Sequence, residues 1–267
     1  SPYIDPETIC PYCDSVLPAN PSPQLFDLLR TTFPKSTTDV RPTNPLGRKA
    51  PTITFAAVCQ RHILESNILP QARAEGWPTE IEWNGLEARI VKMKADLNGI
   101  LADRGSPILY NQNTPTTEKA MDTAIDGPRM RCVFWRELVV QWESSGLRTA
   151  AIGQFATFEK MQPGYYGEAG LVIIHESLCR LFPPDTVDAN LIRPLSLLEF
   201  VGCILVPEVA MRLIAEDMFL DLNAVDDQKE AVRVLRASAS YGVAMFPDCD
   251  SEMDLEEDEE DSESEEE

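Results

Sequence analysis

Two short pairs of residues in this chain could close on a metal ion. Cys10-Pro11-Tyr12-Cys13 is a Cys-x2-Cys pair, and Cys59-Gln60-Arg61-His62 is a Cys-x2-His pair. Three thiolates and one imidazole are donors of the kind that complete a tetrahedral zinc site, and four protein ligands leave no open position for a substrate. The chemistry expected of Cys10, Cys13, Cys59 and His62 is therefore the binding of a structural Zn2+. Forty-five residues separate Cys13 from Cys59, whereas the ligand pairs of small zinc fingers lie about 12–20 apart. Such an ion would tie together two distant segments of a larger fold. The competing reading makes Cys59 a buried thiol and His62 an ordinary surface imidazole.

A second constellation runs from Gly153 to Glu168 (Gly-Gln-Phe-Ala-Thr-Phe-Glu-Lys-Met-Gln-Pro-Gly-Tyr-Tyr-Gly-Glu), with four aromatics and a Gln-Pro-Gly turn. Aromatics around a tight turn often fill a helix junction. Its polar groups, Gln154, Glu159, Gln162, Tyr165, Tyr166 and Glu168, are equally candidates for binding a partner, since loops on rigid scaffolds carry much recognition. An enzymatic reading would centre on Glu159, Tyr165, Tyr166 and Glu168 and would need them in a solvent-filled cleft. Other enzyme signatures fail. His175-Glu176-Ser177-Leu178-Cys179 has the form His-Glu-x-x-His with Cys in the last place, and it lacks a third ligand. Gly164, Gly167 and Gly170 are not followed by Gly-Lys-Ser/Thr and make no phosphate cradle. No catalytic residue is assigned.

Charge narrows the partners. The net charge is −21, yet fourteen of the 44 acids and none of the 23 bases lie in 248–267, which leaves the body at −7. A mildly acidic body does not offer the broad cationic face of nonspecific nucleic-acid binding. A local patch of Arg41, Arg48, Lys49 and Arg61 keeps a nucleic-acid-binding alternative open. The tail cannot bury enough apolar surface to order itself and is expected to be disordered, either as a solvated segment or as a contact for basic partners such as histones. Ser251, Ser262 and Ser264 each have an acid three residues on and are candidate phosphorylation sites. Seven cysteines, an odd number, point to a reducing compartment. The most apolar run, 195–215, contains Glu199, Pro207, Glu208 and Arg212 and is not a membrane span; the chain is expected to be soluble.

The elements that must position these residues read as helices. Prolines fill 1–22, followed by a short helix over 24–30, an irregular loop to Pro51, a short strand at Thr52-Ile53-Thr54-Phe55 and a helix starting near Cys59. Ile68–Glu75 is a further short helix, ended by Gly76-Trp77-Pro78. Trp77 and Trp83 are core anchors. Asn84 is expected to cap a helix with Leu86, Ile90, Met93, Leu97, Ile100 and Leu101 on one face. Asp103 to Arg129 lacks a pattern and reads as a loop or insertion. Further helices are expected at 131–144, 171–182 and 195–206. Pro207 starts or kinks the next, whose polar face carries Glu208 and Arg212, and a last helix is capped by Asp226 or Asp227. The fold class is mainly α: a multi-helix globular domain with an N-terminal zinc knuckle (1–83), a helical body (84–247) forming one domain with it, and an acidic tail (248–267).

Cys10-Pro-Tyr-Cys13-Asp14, Cys59-Gln-Arg-His62, Gly76-Trp77-Pro78, the Gly153 to Glu168 block and Val206-Pro-Glu-Val-Ala-Met-Arg212 together resemble the C-terminal domain of the fungal restriction-of-telomere-capping protein 4 family, over roughly residues 8–247. The resemblance implies a fungal protein of nuclear or nucleocytoplasmic residence, linked to telomere capping and without an established enzymatic activity. The function it suggests is a zinc-stabilised helical module that binds a nuclear or chromatin-associated protein.

Overall fold

The computed structural model describes residues 5–103, 127–145 and 162–248. It is mainly helical, with one two-stranded sheet among the described residues. The chain divides into two compact units, Ser1–Pro78 and Thr79–Glu267. No described helix is long and apolar enough to cross a membrane.

In the first unit, helix α1 (Pro23–Thr32) starts on Ser22, whose hydroxyl accepts from the Leu25 N–H, with Pro23 at the first turn where no backbone donor is missed. The strands β1 (Thr37–Thr38) and β2 (Arg48–Lys49) pair antiparallel, Thr37 opposite Lys49. Helix α2 (Thr52–Ile63) begins directly after Pro51. The short strand expected at Thr52–Phe55 is therefore corrected. Phe55 and Val58 are placed one helical turn apart against Cys10, Tyr12 and Leu25, and that burial outweighs the β preference of Thr52, Ile53 and Thr54. Tyr12 stacks on Phe55 at 5.2 Å.

A π-helical turn, Leu64–Ile68, joins α2 to α3 (Leu69–Glu75), and Gly76 ends α3 in the left-handed region at φ 71°. Pro70 explains the wide turn. A proline ring inside a helix collides with the carbonyl four residues back, and a π turn moves that carbonyl aside while the chain continues. The second unit repeats the device. Helix α9 (Leu197–Phe200), opened by a Ser196–Glu199 capping box, passes through the π turn Val201–Leu205 into α10 (Val206–Asp217), with Pro207 at its second residue. Pro207 thus neither starts a separate helix nor breaks this one.

That long rod is the centre of the second unit, with every residue from Val201 to Met211 buried. Around it lie α4 (Leu86–Lys92), α5 (Lys94–Ala102), α6 (Pro128–Arg131), α7 (Val133–Ser145), α8 (Gly167–Leu181), α11 (Val225–Ala237) and α12 (Ala239–Met245). α8 lies against α4, α10 and α12, and α11 against α10. Three expectations shift. The helix from Asn84 is preceded by a 3-10 turn, Trp83–Gly85, and interrupted at Met93. α11 begins after Ala224, with Asp226 and Asp227 inside its first turn, where carboxylates favour the helix dipole. Glu208, expected on a polar face, is buried and accepts from Arg212 Nε at 2.8 Å, while Arg212 Nη1 reaches Asp96 at 2.9 Å.

The polar stretch 103–129 ends differently from a loop. Arg129 is fully buried, donates to the carbonyls of Ile100 (2.8 Å), Leu101 (2.6 Å) and Leu191 (2.7 Å), and lies over the Trp135 ring at 4.9 Å. Its cation closes the carbonyl end of α5. Burial lowers its pKa to about 10, which leaves it charged at neutral pH.

Candidate metal centre

Residues 9–16 form a tight loop: Ile9 bridges Val16, Cys10 N–H donates to Ser15 O at 2.8 Å, Asp14 N–H donates to Cys10 O at 3.1 Å, and Asp14 is left-handed at φ 63°. This turns Cys10 and Cys13 toward the same point. Cys59 and His62 are three residues apart on α2 and so share a face. The two segments meet. Cys10 Sγ lies 3.9 Å from Cys59 Sγ and Cys13 Sγ 3.1 Å from His62 Nε2, and all four donor atoms fall within 4.8 Å of one another. Bonds of about 2.3 Å to sulfur and 2.0–2.1 Å to nitrogen put tetrahedral ligands roughly 3.5–3.8 Å apart. The spacing therefore fits one zinc ion, with the Cys13–His62 contact somewhat tighter than ideal.

Electrostatics point the same way. Burial, then the charges of Cys10 and Cys13, push the Cys59 thiol up; burial raises Cys10 as well. Cys13 is also pushed up by burial, but hydrogen bonds from the Ser15 backbone and hydroxyl and from Cys10 and Cys59 bring it below the usual thiol range. Burial lowers His62, keeping its imidazole neutral and able to donate a lone pair. Three sulfurs this close cannot all ionise unless a cation sits among them.

Residues that spacing did not reveal brace the loop. Asn44, fully buried, donates to Cys10 O at 3.0 Å and Asp14 Oδ1 at 2.7 Å. Arg41 donates to the Pro11 and Tyr12 carbonyls and pairs with Asp14 at 3.1 Å, and Arg48 N–H donates to Pro11 O at 2.8 Å. Orienting groups of this kind hold a ligand set in place before the ion arrives. The Arg48 side chain is spent on Ser36 and lies 3.7 Å over the Phe33 ring, and Arg61 pairs with Glu65 at 2.5 Å. Three of the four bases proposed as a nucleic-acid patch are thus committed within the unit.

The second constellation is placed in part. Gln154 and Glu159 lie outside the described residues, as do Ser251, Ser262, Ser264 and nearly all of the acidic tail. Tyr165 and Tyr166 are buried, and their hydroxyls donate to Asp217 Oδ2 at 2.7 and 2.6 Å. Arg89 donates to Asp217 Oδ1 at 2.8 Å, to Tyr166 Oη at 3.2 Å and to Glu216 at 2.9 Å. Burial, then the Asp217 charge, pushes both phenols well up. These rings pack a helix junction rather than line a solvent-filled cleft. Glu168 is half-buried near the Asp248 N–H, and Gln162 is buried. Asp217, 52 and 51 residues on from the tyrosines it joins, carried no sequence signal. Asp217→Ala strands two buried hydroxyls and removes one of the partners of Arg89, which keeps Glu216 and the Leu213 carbonyl, so it is expected to cost about 2–4 kcal/mol of unfolding free energy; urea denaturation checks this, with Asp217→Asn, which still accepts, losing less. His175 Nδ1 lies 3.9 Å from Cys179 Sγ. Among the described residues the only cluster able to hold a metal is the one at Cys10, Cys13, Cys59 and His62.

Comparison with known proteins gives one match: residues 128–247 fit the family model of the RTC4-like domain. Neither a curated protein nor a solved structure matches the chain.

Proposed function

We propose that this chain, whose residues 128–247 match the RTC4-like domain of the restriction-of-telomere-capping protein 4 family, is a zinc-clasped helical module that binds a protein partner in the nucleus. The observation that carries the zinc is the convergence of Cys10, Cys13, Cys59 and His62 within 4.8 Å. Zinc, when bound, supplies the positive charge that lets three thiolates share one point. The chain's own residues do the rest: Asn44 and Arg41 hold the Cys10–Asp14 loop, and α2 presents Cys59 and His62 from consecutive turns of one face. Four protein donors fill a tetrahedron, so the centre holds structure and does not turn over a substrate.

The interaction role rests on the family and on charge. The acidic stretch from Asp248 onward suits a basic partner such as a histone, with the cytoplasm as a second compartment in which the chain can reside. The nucleic-acid alternative is weakened by the internal commitment of Arg41, Arg48 and Arg61.

Two measurements test the proposal. Elemental analysis of the purified chain is expected to give about one zinc per chain, released by a chelator more readily as pH falls because protons compete for the ligands. Affinity capture from nuclear extract, with and without residues 248–267, is expected to retain a protein partner. Metal-free protein that keeps its native melt would overturn the clasp. A gel shift that survives physiological salt would favour nucleic acid instead.

A further inference from the structure

The three thiols of the metal cluster are unequally open to solvent. Cys10 is fully buried and packs with Leu25 and Val58, Cys59 is half-buried at the edge of that core, and Cys13 is exposed. Their sulfurs lie within 4.8 Å of one another, with Cys10 Sγ and Cys59 Sγ at 3.9 Å. A disulfide needs about 2.05 Å between sulfurs, so a small side-chain movement joins two of them. Cys179, the other exposed thiol among the described residues, has an imidazole beside it instead, His175 Nδ1 at 3.9 Å.

We propose that Cys13 is a site of oxidation by hydroperoxides, that Cys59 resolves it, and that the Cys13–Cys59 disulfide takes over the clasp when the ion is lost. The inference rests on the zinc reading above and gives the same centre a second, covalent state. Exposure selects Cys13, because oxidation is confined to thiolates that the oxidant can reach. Its sulfur attacks one oxygen of hydrogen peroxide, the O–O bond breaks, and the products are the sulfenic acid and hydroxide. The Cys59 thiolate then attacks the Cys13 sulfur and expels a second hydroxide as the S–S bond forms. Each sulfur has given up one electron, and with two protons the peroxide leaves as two waters. Cys10 and His62 remain as the only donors, too few to hold the ion.

Cys10 stays a thiol because its side chain is enclosed and its loop is pinned, Cys10 N–H to Ser15 O at 2.8 Å and Asn44 Nδ2 to Cys10 O at 3.0 Å. Cys13 lies on the 9–16 loop and Cys59 on α2, so the new bond spans the two segments that the ion joins. A Cys10–Cys13 bond would close inside one loop and leave α2 untied. In a reducing compartment such a bond is transient, as in redox-sensing proteins.

The zinc-loaded full chain is treated with hydrogen peroxide. Released zinc is followed with a colorimetric chelator, disulfides by peptide mass mapping without reductant, and order by amide exchange in α1 and α2. About one zinc is expected to leave for each Cys13–Cys59 bond formed. The oxidised, zinc-free chain is expected to keep amide protection in α1 and α2 about tenfold or more above that of chain stripped by chelator under reductant. Dithiothreitol with added zinc should restore the starting state. Cys179→Ser, which removes the competing exposed thiol, should leave the response unchanged.

Zinc retained at peroxide doses that oxidise Cys179 would overturn the proposal and leave the clasp standing. So would release accompanied by a Cys10–Cys13 bond, by sulfinic acid at Cys13 without a disulfide, or by the loss of protection that the chelator causes. If the purified chain carries no zinc and peroxide still forms the Cys13–Cys59 bond, the metal reading falls and the oxidation site stands.

Discussion

Replacing Cys59 by serine is expected to unfold the amino-terminal unit at room temperature. The unit is short of apolar burial: its core cluster is Cys10, Tyr12, Leu25 and Val58, edged by five partly buried side chains, and its sheet is two residues a strand. Domains of this size usually need a staple. The core and the ligand set also share residues, since Cys10 belongs to both and Cys59 packs against it. Structural zinc in finger peptides contributes on the order of 10–16 kcal/mol at neutral pH, and a three-ligand remnant is expected to forfeit at least about 5 kcal/mol of that. His62→Ala removes the fourth donor and should behave alike. Hydrogen exchange of the amides in α1 and α2 is the direct readout, with elemental analysis alongside: protection lost together with zinc is the expected result. Cys179→Ser, at an exposed thiol outside the cluster, is the matched control and should change neither. A Cys59→Ser chain that kept both zinc and amide protection would show that the sulfur at 59 is only a small buried hydrophobe.

What the sequence disclosed follows from how far each signal reaches along the chain. Cys-x2-Cys and Cys-x2-His are local patterns, and the four donors converge although 45 residues separate the pairs. Helical periodicity was equally legible: α1, α3, α8 and α11 lie near the spans expected from their apolar spacing. The errors arise where a distant partner decides. Thr52, Ile53 and Thr54 favour a strand locally, but Phe55 and Val58 reach Tyr12 and Leu25 only from a helix. Arg129 sits in a polar run and is buried because it finds three carbonyls on other segments. Tyr165 and Tyr166 offered polar handles in sequence. The structure spends both on Asp217, which no spacing rule ties to them. Glu208 obeyed an amphipathic pattern and was nonetheless enclosed, since α10 is surrounded and Arg212 accompanies it. The two π turns were hidden in the same way. Pro207 announced a disturbance and Pro70 drew no notice inside the short helix expected at 68–75, and only packing on both sides decided that the helices would absorb these prolines and run on.

Gly167→Ala is expected to be the most damaging single substitution in the RTC4-like domain. Gly167 opens α8 at φ 63° and ψ −162°, a backbone region essentially reserved for glycine, which costs an L residue on the order of 1–3 kcal/mol. Space is the larger obstacle. A Cβ there would stand 2.2 Å from Gly242 O, 2.7 Å from Gly242 C and 2.7 Å from Phe246 O, all backbone atoms of α12 and its end. Backbone cannot swing away as a lysine tip can, so α12 would have to retreat. The retreat would stretch the bond from Ala169 N–H to Phe246 O, now 3.2 Å, and loosen Tyr241, which is 1% exposed. Gly242 faces the same constraint from the other side, its own missing Cβ lying 2.0 Å from Gly164 O. Together these effects should cost about 3–5 kcal/mol, a fall in Tm of roughly 8–15 °C for a unit of this length. Gly85→Ala is the internal comparison: its φ is −85°, its nearest neighbour would be Glu82 Cγ at 3.7 Å, and it should be neutral or stabilising by about 0.4–1 kcal/mol. Calorimetry of the two variants separates the cases. Equal melting temperatures would mean that α8 and α12 do not approach at their backbones, and the junction through which Tyr165, Tyr166 and Asp217 are held would need another cause.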